Sequence, residues 1–184
     1  MTLPSTPELQ YHDLITRLKR LDEDASLIDY SENRFHLVIV GGGALILQKF
    51  TERATNDIDA LYVSPMLENL LQKYDINTRV NAYIDSFPYN FEDRLIKLPI
   101  NGRKIDFYAA SLEDVVIAKL HSHRDKDMQD IQSDTVLQNI DWDTLERLAL
   151  AEGESQASSF SDARHNEFLH AYSQYVQEYK PCDS

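Results

Sequence analysis

The sequence predicts an α/β (α+β) fold, with a small mixed β-sheet backed by helices and a helical C-terminal part. An apolar stripe near the N-terminus recurs at steps of three and four residues, which is typical of an amphipathic helix. The apolar run Leu37–Val40 leads into three glycines, as a buried strand leads into a turn. Beyond Ser111 the apolar residues return to helical spacing. We therefore expect one domain over residues 1–140 and a helical extension over 141–184.

Composition and charge limit the class of protein. The chain has 184 residues and a formal net charge of −13, which opposes nonspecific binding to nucleic acid. Seven of the 18 basic residues lie within 91–126, interleaved with six acidic ones, so solvated faces are favoured there over a basic groove. No apolar run is long enough to span a membrane, and Cys182 is the single cysteine. A protein of the reducing cytoplasm is expected, without a membrane partner.

The N-terminal helix is expected to begin at Thr6-Pro7-Glu8, where a capping hydroxyl precedes a proline that needs no amide donor. It should run to about Tyr30. Five apolar residues form its predicted buried stripe: Leu14, Leu18, Leu21, Ala25 and Ile28.

The central segment is expected to form a strand, a glycine turn, a helix and a second strand. Gly41, Gly42 and Gly43 follow the first strand and let another group approach their backbone amides closely. A short helix is expected over Ala44–Phe50, so these amides would lie at a helix N-terminus, where an anion is favoured. The second strand is expected over Ile58–Val63.

Two aspartates flank the start of that second strand. Asp57 and Asp59 are two residues apart, so on a strand their carboxylates face the same way, whereas Ile58 and Ala60 face the core. Neighbouring carboxylates repel each other unless a cation lies between them. Magnesium binds to a few carboxylates together with phosphate oxygens, so this pair beside a glycine turn predicts a phosphoryl or nucleotidyl transfer site.

The next segment offers an aromatic loop and a hairpin. Phe87–Phe91 is expected either to line a nucleobase pocket or, more simply, to close an edge of the core. Asn101-Gly102 between two strand-like runs predicts a two-residue hairpin with a type I′ turn. In that register Lys97 faces Asp106, and the two side chains can form a cross-strand ion pair.

Ser111 begins a helix in which Lys119 lies on the apolar stripe. A buried ammonium needs a partner, which is either a carboxylate such as Asp130 or a bound triphosphate. If the helix continues, Lys126 lies near the same face. Other charged residues of this segment are expected to tie helices together: Arg124, Asp127 and Asp130.

The C-terminal part is expected to be helical. One helix should follow Asp141 to about Ala151, a loop should cover Gly153–Ser161, and a last helix should cover Asp162–Tyr179. Residues 141–184 carry nine acidic and three basic side chains. This acidic surface is a candidate contact for a protein partner or for a second copy of the chain.

These motifs resemble those of the polymerase-β-type nucleotidyltransferases, in which a glycine pair after a strand precedes Asp-hydrophobic-Asp. The closer resemblance is to small bacterial nucleotidyltransferase-like proteins, some of which act as toxins or antitoxins. The matching motifs are Gly42-Gly43-Ala44, Thr55-Asn56-Asp57-Ile58-Asp59, Lys119-Leu120 and Arg124-Asp125-Lys126-Asp127. The resemblance covers about residues 30–135.

The resemblance implies magnesium-dependent transfer of a nucleoside monophosphate from an NTP, such as ATP, to an acceptor hydroxyl, with release of pyrophosphate. The acceptor would be an RNA such as tRNA, a protein or a small molecule. By the same resemblance, Asp57, Asp59 and Asp106 would be the catalytic carboxylates and would hold two magnesium ions.

The resemblance also assigns the nucleotide-binding residues. The amides of Gly41–Gly43 would hold phosphate, together with Thr55, and the ammonium groups of Lys119 and Lys126 would neutralise the triphosphate. The alternative is a catalytically inactive protein of the same fold, such as a toxin–antitoxin component that acts through protein contact.

Overall fold

The computed structural model describes residues 9–80, 84–150 and 161–182. The chain divides into two compact units, one formed by residues 1–80 and 96–109 and the other by residues 81–95 and 110–184. The expected domain boundary at residue 140 stays a prediction. The mixture of one sheet with many helices confirms the predicted α/β (α+β) class.

The first unit contains a five-stranded mixed sheet in the order β3-β2-β1-β5-β4. Strand β1 pairs antiparallel with β2 and parallel with β5, so it lies at the centre of the sheet. The edge pairs are β2 with β3, parallel, and β4 with β5, antiparallel. The described elements of this unit are α1 (Tyr11–Ile28), β1 (Phe35–Val40), α2 (Gly41–Leu47), β2 (Ile58–Leu61), a 3₁₀ turn (Pro65–Leu67), α3 (Glu68–Lys73), β3 (Ile76–Asn77), β4 (Ile96–Lys97) and β5 (Ile105–Ala109).

Helix α1 has the predicted buried stripe over most of its length. Leu14, Leu18, Leu21 and Ala25 are fully buried. Ile28 is 49% exposed, because the helix ends at this residue, so its predicted burial was wrong. The expected start at Thr6-Pro7-Glu8 lies outside the described residues.

Strand β1 carries buried side chains on both of its faces. Leu37, Val38, Ile39 and Val40 are each at most 3% exposed. Ile39 lies opposite Ala60 on one side and Ala109 on the other. Helix α2 begins at the first glycine rather than at Ala44, because the glycines form its first turn.

The predicted two-residue hairpin was wrong. Lys97 pairs with Tyr108 rather than with Asp106, a shift of two residues. Neither Asn101 nor Gly102 has the positive φ that a type I′ turn requires. The strands are instead joined by a longer loop, and the even shift keeps the side chain of Lys97 on the expected face.

A buried aspartate organises this loop. The Asp22 carboxylate accepts three backbone hydrogen bonds, from the N–H groups of Arg103 at 2.7 Å, Lys104 at 2.8 Å and Ile105 at 2.7 Å. Gly102 is needed here, since a Cβ would lie 2.2 Å from the carbonyl oxygen of Ile105. The loop thus docks on α1 through one side chain and one close backbone approach.

The second unit is helical in its described part. Its elements are a 3₁₀ turn (Phe91–Arg94), α4 (Leu112–Ser122), α5 (Asp125–Ile131), α6 (Asp134–Asn139), α7 (Trp142–Leu150) and α8 (Asp162–Tyr179). The Ser111 hydroxyl accepts a hydrogen bond from the backbone N–H of Asp114 at 3.2 Å, which confirms the predicted cap. The bounds of α8 agree with the prediction, and Ser161 caps it. The rest of the expected loop 153–161 lies outside the described residues.

Aromatic packing closes the core of this unit. Phe87 and Phe91 are buried, and their rings stack with centroids 4.7 Å apart, which favours the core alternative over a nucleobase pocket. Phe168, Tyr172 and Tyr175 of α8 are buried. Among the described helices, none has the length and apolar character that a membrane crossing requires.

The Asp22 contact leads to a stability prediction. Asp22→Asn replaces one acceptor oxygen by an NH₂ group that faces backbone donors, so we expect a loss of about 1–3 kcal/mol in the free energy of unfolding. Urea denaturation followed by circular dichroism measures it. Glu23→Gln, at an exposed position on the same helix, is the matched control and should be nearly neutral. Equal effects of the two substitutions would contradict this role of Asp22.

Candidate functional site

Strand β2 presents the paired aspartates as the sequence predicts. Ile58 and Ala60 are fully buried, whereas Asp57 is exposed and Asp59 is half-buried. The antiparallel register places Asp59 opposite Val40, the last residue of β1 before the glycines. The end of β1 and the start of β2 therefore meet at one edge of the sheet.

The glycine turn contacts the acidic strand directly. Gly41 has a φ of 62°, which favours glycine, and a Cβ there would lie 3.3 Å from Oδ2 of Asp59. A Cβ on Gly42 would lie 3.5 Å from the hydroxyl oxygen of Thr55. Gly43 instead packs on β1, since its Cβ would lie 3.2 Å from a methyl group of Ile39.

Thr55 is held by its backbone and by its side chain. Its N–H and carbonyl exchange hydrogen bonds of 3.0 and 2.7 Å with Leu9, and its hydroxyl donates to the carbonyl oxygen of Asp57 at 3.1 Å. Of the predicted site residues, the structure thus brings together Gly41, Gly42, Thr55, Asp57 and Asp59.

Asn77 is a residue of the candidate site that was not predicted from the sequence. Strand β3 pairs with β2 so that Asn77 lies beside Asp59, and its amide Nδ2 donates to Asp59 Oδ1 at 2.9 Å. The strand that carries Asn77 has two residues, too few for an alternating pattern to be visible. No local sequence signal therefore points to this residue.

Asp106 does not join the other aspartates. It lies level with His36 in the parallel register of β1 and β5, whereas Asp59 lies level with Val40. The two levels are four residues apart along β1, or roughly 13 Å at the rise of a strand. The prediction that three carboxylates converge was wrong. It required Asp106 to lie level with Asp59 along the sheet, and the register of β5 on β1 places it elsewhere.

Asp106 forms an ion pair at the opposite end of the sheet. Arg34 donates to both of its carboxylate oxygens, at 2.8 and 2.9 Å, and Lys97 Nζ lies 3.2 Å away. The hydrogen bonds from Arg34, together with Lys97, hold the pKa of Asp106 well below its ordinary value. Arg34 also donates to the carbonyl oxygens of Gly102 and Arg103, so Asp106 helps to tie the start of β1 to the loop before β5. The cross-strand ion pair is the alternative that the structure supports.

In the described part of the chain, no group of three or more His, Cys, Asp or Glu side chains is arranged to hold a metal ion. The acidic edge therefore offers two carboxylates, from Asp57 and Asp59, with the amide of Asn77 beside them. Oxygen donors of this kind suit a hard cation that takes its remaining ligands from a phosphate group and from water.

Lys119 lies in the second unit and has structural partners. It is 6% exposed, and its ammonium nitrogen bonds to Asp127 and, at 2.9 Å, to Asp130. Burial opposes ionisation of Asp127, but hydrogen bonds from Lys119 and Ser122 outweigh it and keep the pKa of Asp127 below its ordinary value. The structural alternative therefore accounts for the buried lysine.

The helix that carries Lys119 does not continue to Lys126. Helix α4 ends at Ser122, and His123 takes a left-handed conformation with a φ of 53°. Lys126 lies exposed in the first turn of α5. The condition for Lys126 to share a helical face with Lys119, a continuous helix, is therefore not met.

The buried ion pairs give a prediction for Lys119. Lys119→Met removes the ammonium while Asp127 and Asp130 remain buried, so we expect about 3–5 kcal/mol of destabilisation. Thermal and urea unfolding measure this loss. Lys126→Met changes the same residue type at an exposed position and should cost little. Similar stability of the two variants would contradict the structural role of Lys119.

The glycine turn gives a second prediction. Gly41→Ala places a side chain in the left-handed region and against the Asp59 carboxylate, so we expect a loss of about 1–2 kcal/mol in the free energy of unfolding. Gly42→Ala is the matched control, because its Cβ meets Thr55 at an ordinary distance and alanine favours a helix. Urea denaturation compares the two. A larger loss for Gly42→Ala would contradict this account of the turn.

Comparison with known proteins bears on what this edge of the sheet does. Residues 16–180 match the family described as nucleotidyltransferase of unknown function (DUF6036). No curated protein and no solved structure matches the chain. The glycine turn and the paired aspartates lie inside the matched range, as does Asn77. The chain therefore belongs to this family of nucleotidyltransferases of unknown function.

Proposed function

We propose that the chain is a magnesium-dependent nucleotidyltransferase that moves a nucleoside monophosphate from an NTP to an acceptor hydroxyl. One observation carries the proposal. The carboxylate of Asp59 approaches the Gly41 backbone so closely that a Cβ would lie 3.3 Å from it. Asp57 lies two residues before Asp59, and the chain belongs to a nucleotidyltransferase family.

The residues present fit a divalent cation. Asp57 and Asp59 would hold magnesium, which commonly uses one or two carboxylates and the oxygens of a substrate phosphate. When bound, the ion would offset the negative charge that develops on the phosphates during transfer. Asp106 is already engaged by Arg34 and Lys97 and does not join the expected ligands, so we propose one ion rather than two.

The chain's own groups would position the nucleotide. Gly41 and Gly42 carry no side chains of their own, so phosphate oxygens could approach their backbone amides closely. Thr55 would keep this turn against the acidic strand through its hydrogen bond to Asp57. Such positioning and fixed electrostatics supply most of the rate in phosphoryl chemistry.

The acceptor oxygen forms a bond to the α-phosphorus of the NTP, and the bond from that phosphorus to the oxygen bridging to the β-phosphorus breaks. Pyrophosphate leaves with the electron pair of that bond. The hydroxyl proton passes to the exposed carboxylate of Asp57, which can release it to water.

The negative net charge of the chain favours some classes of acceptor over others. A net charge of −13 opposes the approach of a long nucleic acid, so a protein or small-molecule hydroxyl suits this chain better than an RNA such as tRNA. An acidic surface also attracts a cationic small molecule. The acidic residues of 141–184 remain our candidate contact for a protein partner.

The second candidate function is a catalytically inactive nucleotidyltransferase-fold protein, such as a toxin–antitoxin component that acts through protein contact. The position of Asp106 favours it, because the described edge has two carboxylates where transfer enzymes of the resembling family use three. Such a protein would bind an NTP, or only its protein partner, without transferring a nucleotide.

Calorimetric titration of ATP, CTP, GTP and UTP, each with magnesium, tests the proposed site. We expect the double variant Asp57→Ala with Asp59→Ala to weaken binding by at least about tenfold, because it removes both metal-binding carboxylates. The control removes two exposed carboxylates of the same unit, by Glu23→Ala with Glu68→Ala, and should leave binding unchanged. Adding EDTA should abolish binding by the wild-type protein.

Transfer is then measured with α-labelled NTPs and a cell extract as the source of acceptors. Label that becomes covalently attached, and that is lost in the double variant, supports the enzyme. Magnesium-dependent binding without labelled product supports the inactive candidate. Binding that is equal in the wild type and the double variant contradicts the site itself.

A further inference from the structure

The side-chain amide of Asn77 is fixed by two hydrogen bonds. Its Nδ2 donates to Asp59 Oδ1 at 2.9 Å, and its Oδ1 accepts from the backbone N–H of Arg79 at 3.1 Å. Because a backbone donor occupies the carbonyl end, the NH₂ end must be the one that faces the carboxylate. The orientation of the amide is therefore set by the chain and does not depend on a ligand.

The strand register places Asn77 where it can act on Asp59. Ile76 lies beside Ile58, and both are buried, so the next residue on each strand points to the opposite face. Asn77 and Asp59 are the next pair along these strands. On the other side of β2, the neighbour of Asp59 is the apolar Val40, which offers no hydrogen bond from its side chain.

We propose that Asn77 is a positioning residue of the magnesium–nucleotide site, which holds Oδ1 of Asp59 and thereby directs Oδ2 toward the Gly41 turn. This inference rests on the proposed function. Asn77 is neutral, so it orients the carboxylate without adding a third negative charge. The site then carries two carboxylates, which matches a single divalent ion with the phosphates of one nucleotide.

A hydrogen-bond donor at this position has two physical effects. It restricts rotation of the Asp59 carboxylate, so less conformational freedom is lost when a ligand binds. It also offsets part of the repulsion between the neighbouring carboxylates of Asp57 and Asp59 before the cation arrives. Partners of this kind behind a metal ligand typically change metal affinity by about 10- to 100-fold when they are removed.

The test measures metal binding rather than turnover. Mn²⁺, as a paramagnetic substitute for magnesium, is titrated against the full-length protein with a non-hydrolysable NTP, and free Mn²⁺ is read by electron paramagnetic resonance. The wild type should bind one ion per chain. Asn77→Ala should bind it about tenfold more weakly, with an unchanged melting temperature. Asn33→Ala, at an exposed position of the same unit, is the matched control and should equal the wild type.

Asn77→Gln separates positioning from a merely structural role. It keeps an amide donor on a longer side chain, so we expect Mn²⁺ binding that is tighter than in Asn77→Ala and no tighter than in the wild type. If Asn77→Ala fails to fold, Asn77→Leu, which has a similar volume and no donor, takes its place in the comparison.

The outcomes separate this inference from the proposed function. Metal binding by the wild type, with Asn77→Ala equal to it, overturns the role of Asn77 and leaves the proposed site standing. Binding in Asn77→Gln that is no tighter than in Asn77→Ala also overturns it. A wild type that binds no metal in the presence of the nucleotide overturns both.

Discussion

The first unit depends on the two hydrogen-bonded ladders that share β1. This strand pairs antiparallel with β2 and parallel with β5, and its residues Leu37–Val40 are buried on both faces. A slip of one residue in either ladder would turn apolar side chains to the wrong face. The levels of Asp59 and Asp106 are therefore set by packing and backbone pairing, and neither carboxylate can move toward the other without disrupting the centre of the sheet.

Polar contacts reinforce this register at the start of β1 and β5, the end of the sheet away from Gly41–Gly43. Arg34 bridges Asp106 and the carbonyl oxygens of the preceding loop, and Asp22 accepts the amides that lead into β5. The Asp22 carboxylate thereby satisfies the backbone N–H groups of Lys104 and Ile105, which would otherwise be buried without partners. The Asp106 carboxylate, which sequence similarity assigns to metal binding, thus has a structural task in this chain.

Local pattern was sufficient for part of this structure. The alternation around Asp57 and Asp59, the Ser111 cap and the bounds of α8 each depend on residues close in sequence, and the structure agrees with all of them. The burial of Lys119 was also predicted from its place on the apolar stripe of its helix. Its partners, Asp127 and Asp130, could be identified only from the three-dimensional structure.

Three features of the structure depend on residues that are distant in sequence, so local sequence patterns could not predict them. Asn-Gly is a local turn signal, but Asp22, 81 residues from Arg103 in sequence, imposes a different loop. The level of Asp106 depends on a parallel register that no pattern within β5 encodes. Asn77 gains its importance from pairing between two strands, and its own strand is too short to be recognised.

If the proposed function is right, the number of carboxylates at the acidic edge affects nucleotide binding and catalysis differently. Two carboxylates and a neutral amide are enough to hold one ion and the phosphates that share it. A second ion, which would lower the pKa of the acceptor hydroxyl, has no third carboxylate to hold it among the described residues. Deprotonation then falls to Asp57 and to the acidity of the acceptor itself. On this proposal, the site would select its acceptor by chemistry as well as by shape, and it would hold a nucleotide even where transfer is slow.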